Sequence, residues 1–417
     1  SGDGGFVEVS GKNTLSMTGT VDVGAVNGLA GTLLLDPKNI IIDDSVGAIP
    51  QFDLVDPNRG NGSGFGDAIA PLSTGNVVVT KPEDNFGGDN AGAVYLFDGS
   101  TGALLRMLMG QENDQVGSGG VTALNNGNFV VASPQWDNRV TGATNAGAVT
   151  WGNGTIGITG EVNATNSLVG TQTDDQVGSG GVTALSNGNF VVVSPRWDND
   201  VTGVIDVGAV TWGDGTIPTI VEVNGTNSLV GTQLRDRVGS RGVTALKNNG
   251  NYVVNSPFWG DSQGAITWGD GTTGTTKGEV DGSNSLIGSE DNLVGLVENG
   301  FDGVTALENG NYVVNSPFWD DPNTTRSDDP TSPNTNEGAI TWGDGVTGTT
   351  GVISANNSLI GTQTDDQVGG AGVTALTNGN YVVSSPLWDN GTVQDVGAVT
   401  WVDAINGLTT GSVRLDN

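Results

Sequence analysis

The sequence predicts an all-β fold made of tandem copies of one unit about 60 residues long. Three observations carry this. A Pro-x-Trp element recurs at Pro134/Trp136, Pro195/Trp197, Pro257/Trp259, Pro317/Trp319 and Pro386/Trp388, so successive prolines lie 61, 62, 60 and 69 residues apart. A Thr-Trp element recurs at Trp151, Trp212, Trp268, Trp342 and Trp401, and these two slots hold all ten tryptophans. Between them run short apolar stretches punctuated by Gly and Asn, without the period of an amphipathic helix. An aromatic present in nearly every copy reads as a packing position rather than a catalytic group. Indole buries much area, and its N–H needs a partner at the edge of a core.

The copy at residues 171–231 shows the elements in order. Residues 182–185 (VTAL) and 190–193 (FVVV) are strand-like, joined by Ser186-Asn187-Gly188-Asn189. Asn-Gly there predicts a type I′ hairpin turn, with φ > 0 at both central positions. Pro195 ends the second strand because it has no N–H for a ladder. Residues 208–212 read as a third strand and 227–231 as a fourth. Four short antiparallel strands in about 60 residues have the size of a β-propeller blade. Six copies are visible, at about 60–110, 111–170, 171–231, 232–288, 289–361 and 362–417. The expected architecture over 60–417 is therefore a β-propeller of six or seven blades, with an open array of the same units as the alternative.

The first copy diverges. It reads GFGDAIAPL, then GNVVVTKP, then AGAVYLFDGSTGALLRMLMG, with Tyr95, Phe97 and Met107 in place of tryptophan. This stretch resembles an FG-GAP repeat, the blade unit of the integrin α-subunit type β-propeller. The later copies resemble it more weakly, with Gln-Val-Gly for Phe-Gly and Ser-Pro for Ala-Pro. Many blades of that family carry an aspartate-rich calcium loop between their first two strands. Here that position holds Ser186-Asn187-Gly188-Asn189 or its equivalents, which cannot supply the six to eight oxygens calcium takes. The family's calcium site is not carried over.

Residues 1–44 do not match the repeat. They include GGFVEVSG, the run at 15–19, LLL at 33–35 and III at 40–42. Short strands at such spacing suit rungs of a parallel β-helix, with a hairpin capping the propeller as the alternative. The GGFVEVSG and AGTLLLDP runs resemble the segment that ends the β-helix of filamentous-haemagglutinin-type two-partner-secretion exoproteins. That resemblance implies a piece of a large secreted or surface-anchored bacterial protein. Residues 45–59 are a connector with one expected strand at 51–55, placed to complete a blade by pairing with the chain's last strands.

Composition narrows the function classes. Net charge is −32, from 46 acidic against 14 basic residues, a surface that repels nucleic-acid phosphates and anionic membranes. No apolar run of about 20 residues offers a transmembrane helix. No signal-peptide pattern occurs, and a start at Ser1 is what a fragment of a longer chain would show. Cysteine and histidine are absent, which removes disulfides, thiol nucleophiles, the common zinc sites and the usual triads.

Loops are where the copies differ. The loop after Pro-x-Trp is short at Gly260-Asp261-Ser262-Gln263 and long at residues 320–337, DDPNTTRSDDPTSPNTNE. That long loop reads as a tolerated insertion or as a ligand or cation loop, with Asp320, Asp321, Asp328 and Asp329 as its candidate metal ligands. Arg235, Arg237 and Arg241 form a basic cluster expected to pair with nearby acids. Asp174, Asp175, Asp365 and Asp366 precede first strands, Asp198, Asp320 and Asp389 follow tryptophan, and Asp214, Asp270 and Asp344 sit in Trp-Gly-Asp-Gly turns. Repetition makes these carboxylates turn and scaffold groups first. No catalytic residue and no cofactor is expected, calcium being the one the acidic loops admit. The expected function is a non-enzymatic extracellular adhesion or structural module on a bacterial surface, contacting a glycan, a protein or copies of itself. The alternatives are a subunit of a self-assembling extracellular filament and a carbohydrate-active enzyme using Asp/Glu pairs.

Overall fold

The structure is a computed structural model that describes residues 4–11, 23–25, 28–37, 53–58, 64–289, 292–297, 303–322, 335–404 and 410–414. The chain divides into two compact units, Ser1–Asp53 and Leu54–Asn417. In the first, strands Phe6–Gly11 and Thr32–Pro37 pair in parallel, with Phe6 opposite Thr32. Parallel partners need a crossover between them, as successive rungs of a coil have. The strands expected at 15–19 and 40–42 lie outside the described residues. So do residues 51–52 of the connector strand, and residues 53–58 carry no strand.

The second unit is all-β and repetitive. Its six sheets each carry a meander, and Trp259–Ser262 is a tight turn between strands with left-handed backbone at Gly260, Asp261 and Ser262. In the third repeat, Val182–Ala184, Phe190–Ser194, Ala209–Gly213 and Ser228–Val230 pair antiparallel in that order. Alternation along the second strand gives each sheet two apolar faces. Phe190 and Val192 pack with Val130, Ala132 and Val149 of the preceding repeat, while Val191 and Val193 pack with Tyr252 and Val254 of the following one. The third strand ends in Gly213 because Phe190 lies opposite it, and a Cβ there would overlap the ring. The first repeat makes the same fit in reverse, with Val77 opposite Phe97.

The hairpin turn corrects one expectation. Gly188 has φ 89°, whereas Asn187 is not left-handed, so the turn is not type I′. Gly188 N–H donates to the Leu185 carbonyl and Leu185 N–H to the Asn189 carbonyl (3.1 and 2.8 Å), which makes a longer loop closed by one left-handed glycine. Asn187 is free of the αL role because its side chain is used elsewhere.

Neighbouring repeats exchange a strand. Gly160–Glu161 of the second repeat pairs in parallel with Leu104–Met109 of the first. Gly278–Glu279, Gly351–Val352 and Gly411–Ser412 do the same to Ser228–Val230, Ser285–Ile287 and Ser358–Ile360. A parallel bridge from Val169 to Glu222 completes the set. At all five junctions one N–H (Val162, Val223, Val280, Ile353, Val413) donates to a carbonyl of the preceding sheet at 3.0 Å. First strands of successive sheets also touch one another.

Candidate binding surface

The residues that recur in every copy converge on the junctions. In the third repeat, Asn187 Nδ2, Asn189 Nδ2 and Trp212 Nε1 all donate to the Gly271 carbonyl of the fourth, at 2.8, 2.8 and 2.9 Å. Asn126, Asn128 and Trp151 hold the Gly215 carbonyl in the same way. Asn249, Asn251 and Trp268 hold that of Gly345. In the first repeat Thr74 and Asn76 reach Gly154. Glycine fits these three positions because a Cβ on Gly215, Gly271 or Gly345 would run into the carbonyl of the neighbouring hairpin glycine. The sixth repeat has Ala404 at this position, and the Trp342 indole N–H that would be bound there has no partner.

The Pro-x-Trp tryptophans lie deeper. Trp136, Trp197, Trp319 and Trp388 are buried, and Trp259 is half-buried. Trp136 Nε1 donates to the Val162 carbonyl, while Trp197, Trp259, Trp319 and Trp388 leave that N–H unsatisfied. In the second to fifth sheets a buried hydroxyl pair, such as Thr211 with Ser228, ties the third strand to the fourth at 2.7 Å.

A buried aspartate organises the loop edge in the second, third, fourth and sixth repeats. Asp175 Oδ2 accepts from the N–H of Thr171 and Gln172, and Oδ1 from the N–H of Asp198. Asp236 and Asp366 repeat this pattern. Asp114 adds an ion pair with Arg139 at 2.8 Å. Burial pushes the Asp175 carboxyl up to about 6 against the pull of these donors, and raises Asp114 and Asp366 as well. The aspartate after tryptophan closes the outer loop: Asp198 accepts from Asp206 N–H, and Asp389 from Asp395 N–H. Asp214, Asp270 and Asp344 accept from backbone N–H groups two residues on.

The candidate metal ligands are split by this geometry. Asp320 Oδ1 accepts from the N–H of Thr335 and Asn336, closing the base of the long loop. Asp321 N–H donates to Glu337 Oε2, which also takes the Thr335 hydroxyl at 2.6 Å. Asp328 and Asp329 lie outside the described residues. Glu337 stands where the second and third repeats have Ala146 and Val207. It is fully buried, with its Oε1 unpartnered, and burial raises its pKa with Asp320 nearby. Beside it, Trp319, Asp321, Pro322 and Ile353 line a cavity of about 180 Å³. Among the described residues no three His, Cys, Asp or Glu side chains gather as a metal site. Of the basic cluster, Arg237 reaches Asp206 of the preceding repeat at 3.4 Å.

The two ends of the repeat array differ. On the outer face of the first sheet, the rings of Phe65, Tyr95 and Phe97 lie with centroids 5.9 to 6.3 Å apart. Leu54 packs against them. Lys81 is buried between Asp56 and Asp84 at 2.8 and 3.3 Å, and Tyr95 donates to Asp84 at 2.6 Å. Burial alone would lower the Lys81 ammonium, but the two carboxylates hold it raised. The sixth sheet has three described strands, Val373–Ala375, Tyr381–Ser385 and Ala398–Val402. Its outer face is bare: Val399 is 74% and Trp401 57% exposed.

A family model described as Repeat of unknown function (DUF5650) matches residues 123–179, 184–240, 246–295, 306–370 and 375–417. No FG-GAP or haemagglutinin-type match accompanies it. No curated protein matches the chain. Among solved structures, Kuenenia stuttgartiensis hydrazine synthase is similar over 80% of this chain and 77% of that one, at 12% identity and a TM-score of 0.33.

Proposed function

Because the chain belongs to the family of DUF5650 repeats, with five matched copies between residues 123 and 417, we propose that these repeats form a rigid, non-enzymatic scaffold that presents its outer loops to a partner on another surface. In its finer form the repeats are blades of an integrin-type propeller, carried by a secreted bacterial surface protein. The FG-GAP-like residues of the first repeat and the haemagglutinin-like residues of 1–44 support that form. One observation carries the reading. The side chains that recur from copy to copy are consumed in locking sheets together, whereas the loops after Pro-x-Trp change in length and charge. A rigid frame with variable loops is how recognition is usually built.

Replacing residues 320–337 by the four-residue loop of the fourth repeat tests this on a glycan array and a panel of immobilised cell-surface proteins. The parent chain should retain one class of ligand, and the loop variant should lose it while melting within about 3 °C of the parent. No retention by the parent, or retention untouched by the exchange, would overturn the proposal.

A further inference from the structure

We infer that the Lys81 cluster of the first repeat is a self-modification site, in which Lys81 Nζ closes an amide bond onto the side-chain carboxyl of Asp56. Three repeated positions change together to build the cluster. Lys81 stands where the later repeats have Ser133, Ser194, Ser256, Ser316 and Ser385. Asp84 stands where they have the Pro-x-Trp tryptophan, and Tyr95 where they have Thr150 and its equivalents. Asp56 comes from the connector. One carboxylate would neutralise the lysine; two leave the cluster with a negative charge to spare.

Each part of an amide-forming site is present. The nucleophile, Lys81 Nζ, lies 2.8 Å from Asp56 Oδ2. Asp56 Oδ1 accepts the Asn58 N–H at 2.8 Å, a donor placed where negative charge develops when the carboxyl carbon is attacked. Asp84 Oδ2, 3.3 Å from Nζ, is the proton carrier. It is fixed by the Tyr95 hydroxyl at 2.6 Å, and Asp84 Oδ1 by Asn58 Nδ2 and the Phe86 N–H at 2.7 and 2.8 Å. Lys81 and Asp84 are 1% and 0% exposed, so bulk water does not compete for either.

The step balances without a co-reactant. One proton crosses from Nζ to Asp56 Oδ2, giving an amine and a carboxylic acid. Nζ attacks Cγ of Asp56, and Asp84 takes a second proton from the attacking nitrogen. Asp84 returns that proton to the departing hydroxyl, which leaves as water. One N–C bond forms, one C–O bond breaks, and nothing is oxidised or reduced. The two carboxylates hold the resting lysine as an ammonium, so the bond forms through a minor neutral pair, slowly and once. Fixed geometry offsets that scarcity, and closure removes the cost of keeping the two opposite charges from water.

Intact-mass spectrometry of the 417-residue chain, denatured after overnight incubation at neutral pH, tests this. The mass should fall short of the sequence by one water, and peptide mapping should find a branched peptide joining Asp56 to Lys81. Lys81→Arg should give a chain of full sequence mass. So should Asp84→Asn, which keeps nucleophile and acceptor but lacks the proton carrier, with its fold checked by circular dichroism. Glu83→Gln, at an exposed neighbouring carboxylate, should leave the loss intact. A parent chain of full sequence mass overturns the inference. A water lost elsewhere, as in an Asp-Gly succinimide, overturns it too, as does a loss that survives Lys81→Arg or a folded Asp84→Asn.

Discussion

The first and sixth repeats meet the same problem in opposite ways. A sheet with two apolar faces needs a neighbour on each side. The first repeat packs its outward face with its own side chains: an aromatic triplet and a lysine buried between two aspartates. On the sixth, no sheet among the described residues packs on the corresponding face, and Val399 and Trp401 are exposed. The repeat is thus half of an interface rather than a folding unit, and capping has to be added residue by residue.

The buried ion cluster should break this contrast most sharply. Lys81→Met leaves Asp84 charged and fully buried, and should destabilise the first repeat by about 3–5 kcal/mol in urea unfolding. Next comes the pair of equivalent tryptophans. Trp212→Ala removes a half-buried ring and its bond to Gly271, at a cost of about 3 kcal/mol, whereas Trp401→Ala should stay within about 0.5 kcal/mol. The same melts across pH test the interior further. The folded pKa of Asp175 lies above its unfolded value of 3.8, near 6. The native state therefore holds its proton more tightly, so its contribution is full below pH 3.8 and is lost as pH rises through 6. The predicted loss is about 3 kcal/mol, and Asp175→Asn should flatten it. Asn292 already occupies this position in the fifth repeat. The smallest contrast is Asn187→Ala, at about 1 kcal/mol, against Asn378→Ala, which should be neutral in the monomer.

Strand positions were legible because each copy repeats one alternating pattern, so Val182, Phe190 and Ala209 start strands within a residue of where the sequence puts them. The hairpin turn was misread because Asn187 obeys a distant demand. Its side chain reaches a carbonyl 84 residues away, which no local rule contains. The exchanged strands were invisible for a related reason: Gly160–Glu161 is two residues long, begins with glycine and shows no alternation. Asp175 read as a turn residue, yet it is fully buried. Its recurrence beside Val-Gly in the second to fourth and sixth copies was the available signal. Lys81 in Lys-Pro gave no sign of burial, because its partner Asp56 lies in the connector.

The exchanged strands give the array a mechanical character. Strand Leu104–Met109 is entered from the chain's beginning, and its parallel partner Gly160–Glu161 is left toward the chain's end. Tension on the two ends therefore shears the pair, loading its bonds together, where a pulled hairpin would unzip them singly. Residues 110–159 are shielded from the load until that clasp fails. Failure of that clasp pays out about 50 residues, or roughly 170 Å of extended chain. Stretched, the protein would behave as a line of breakable links, with the longest step at the clasp of Ser285–Ile287 with Gly351–Val352.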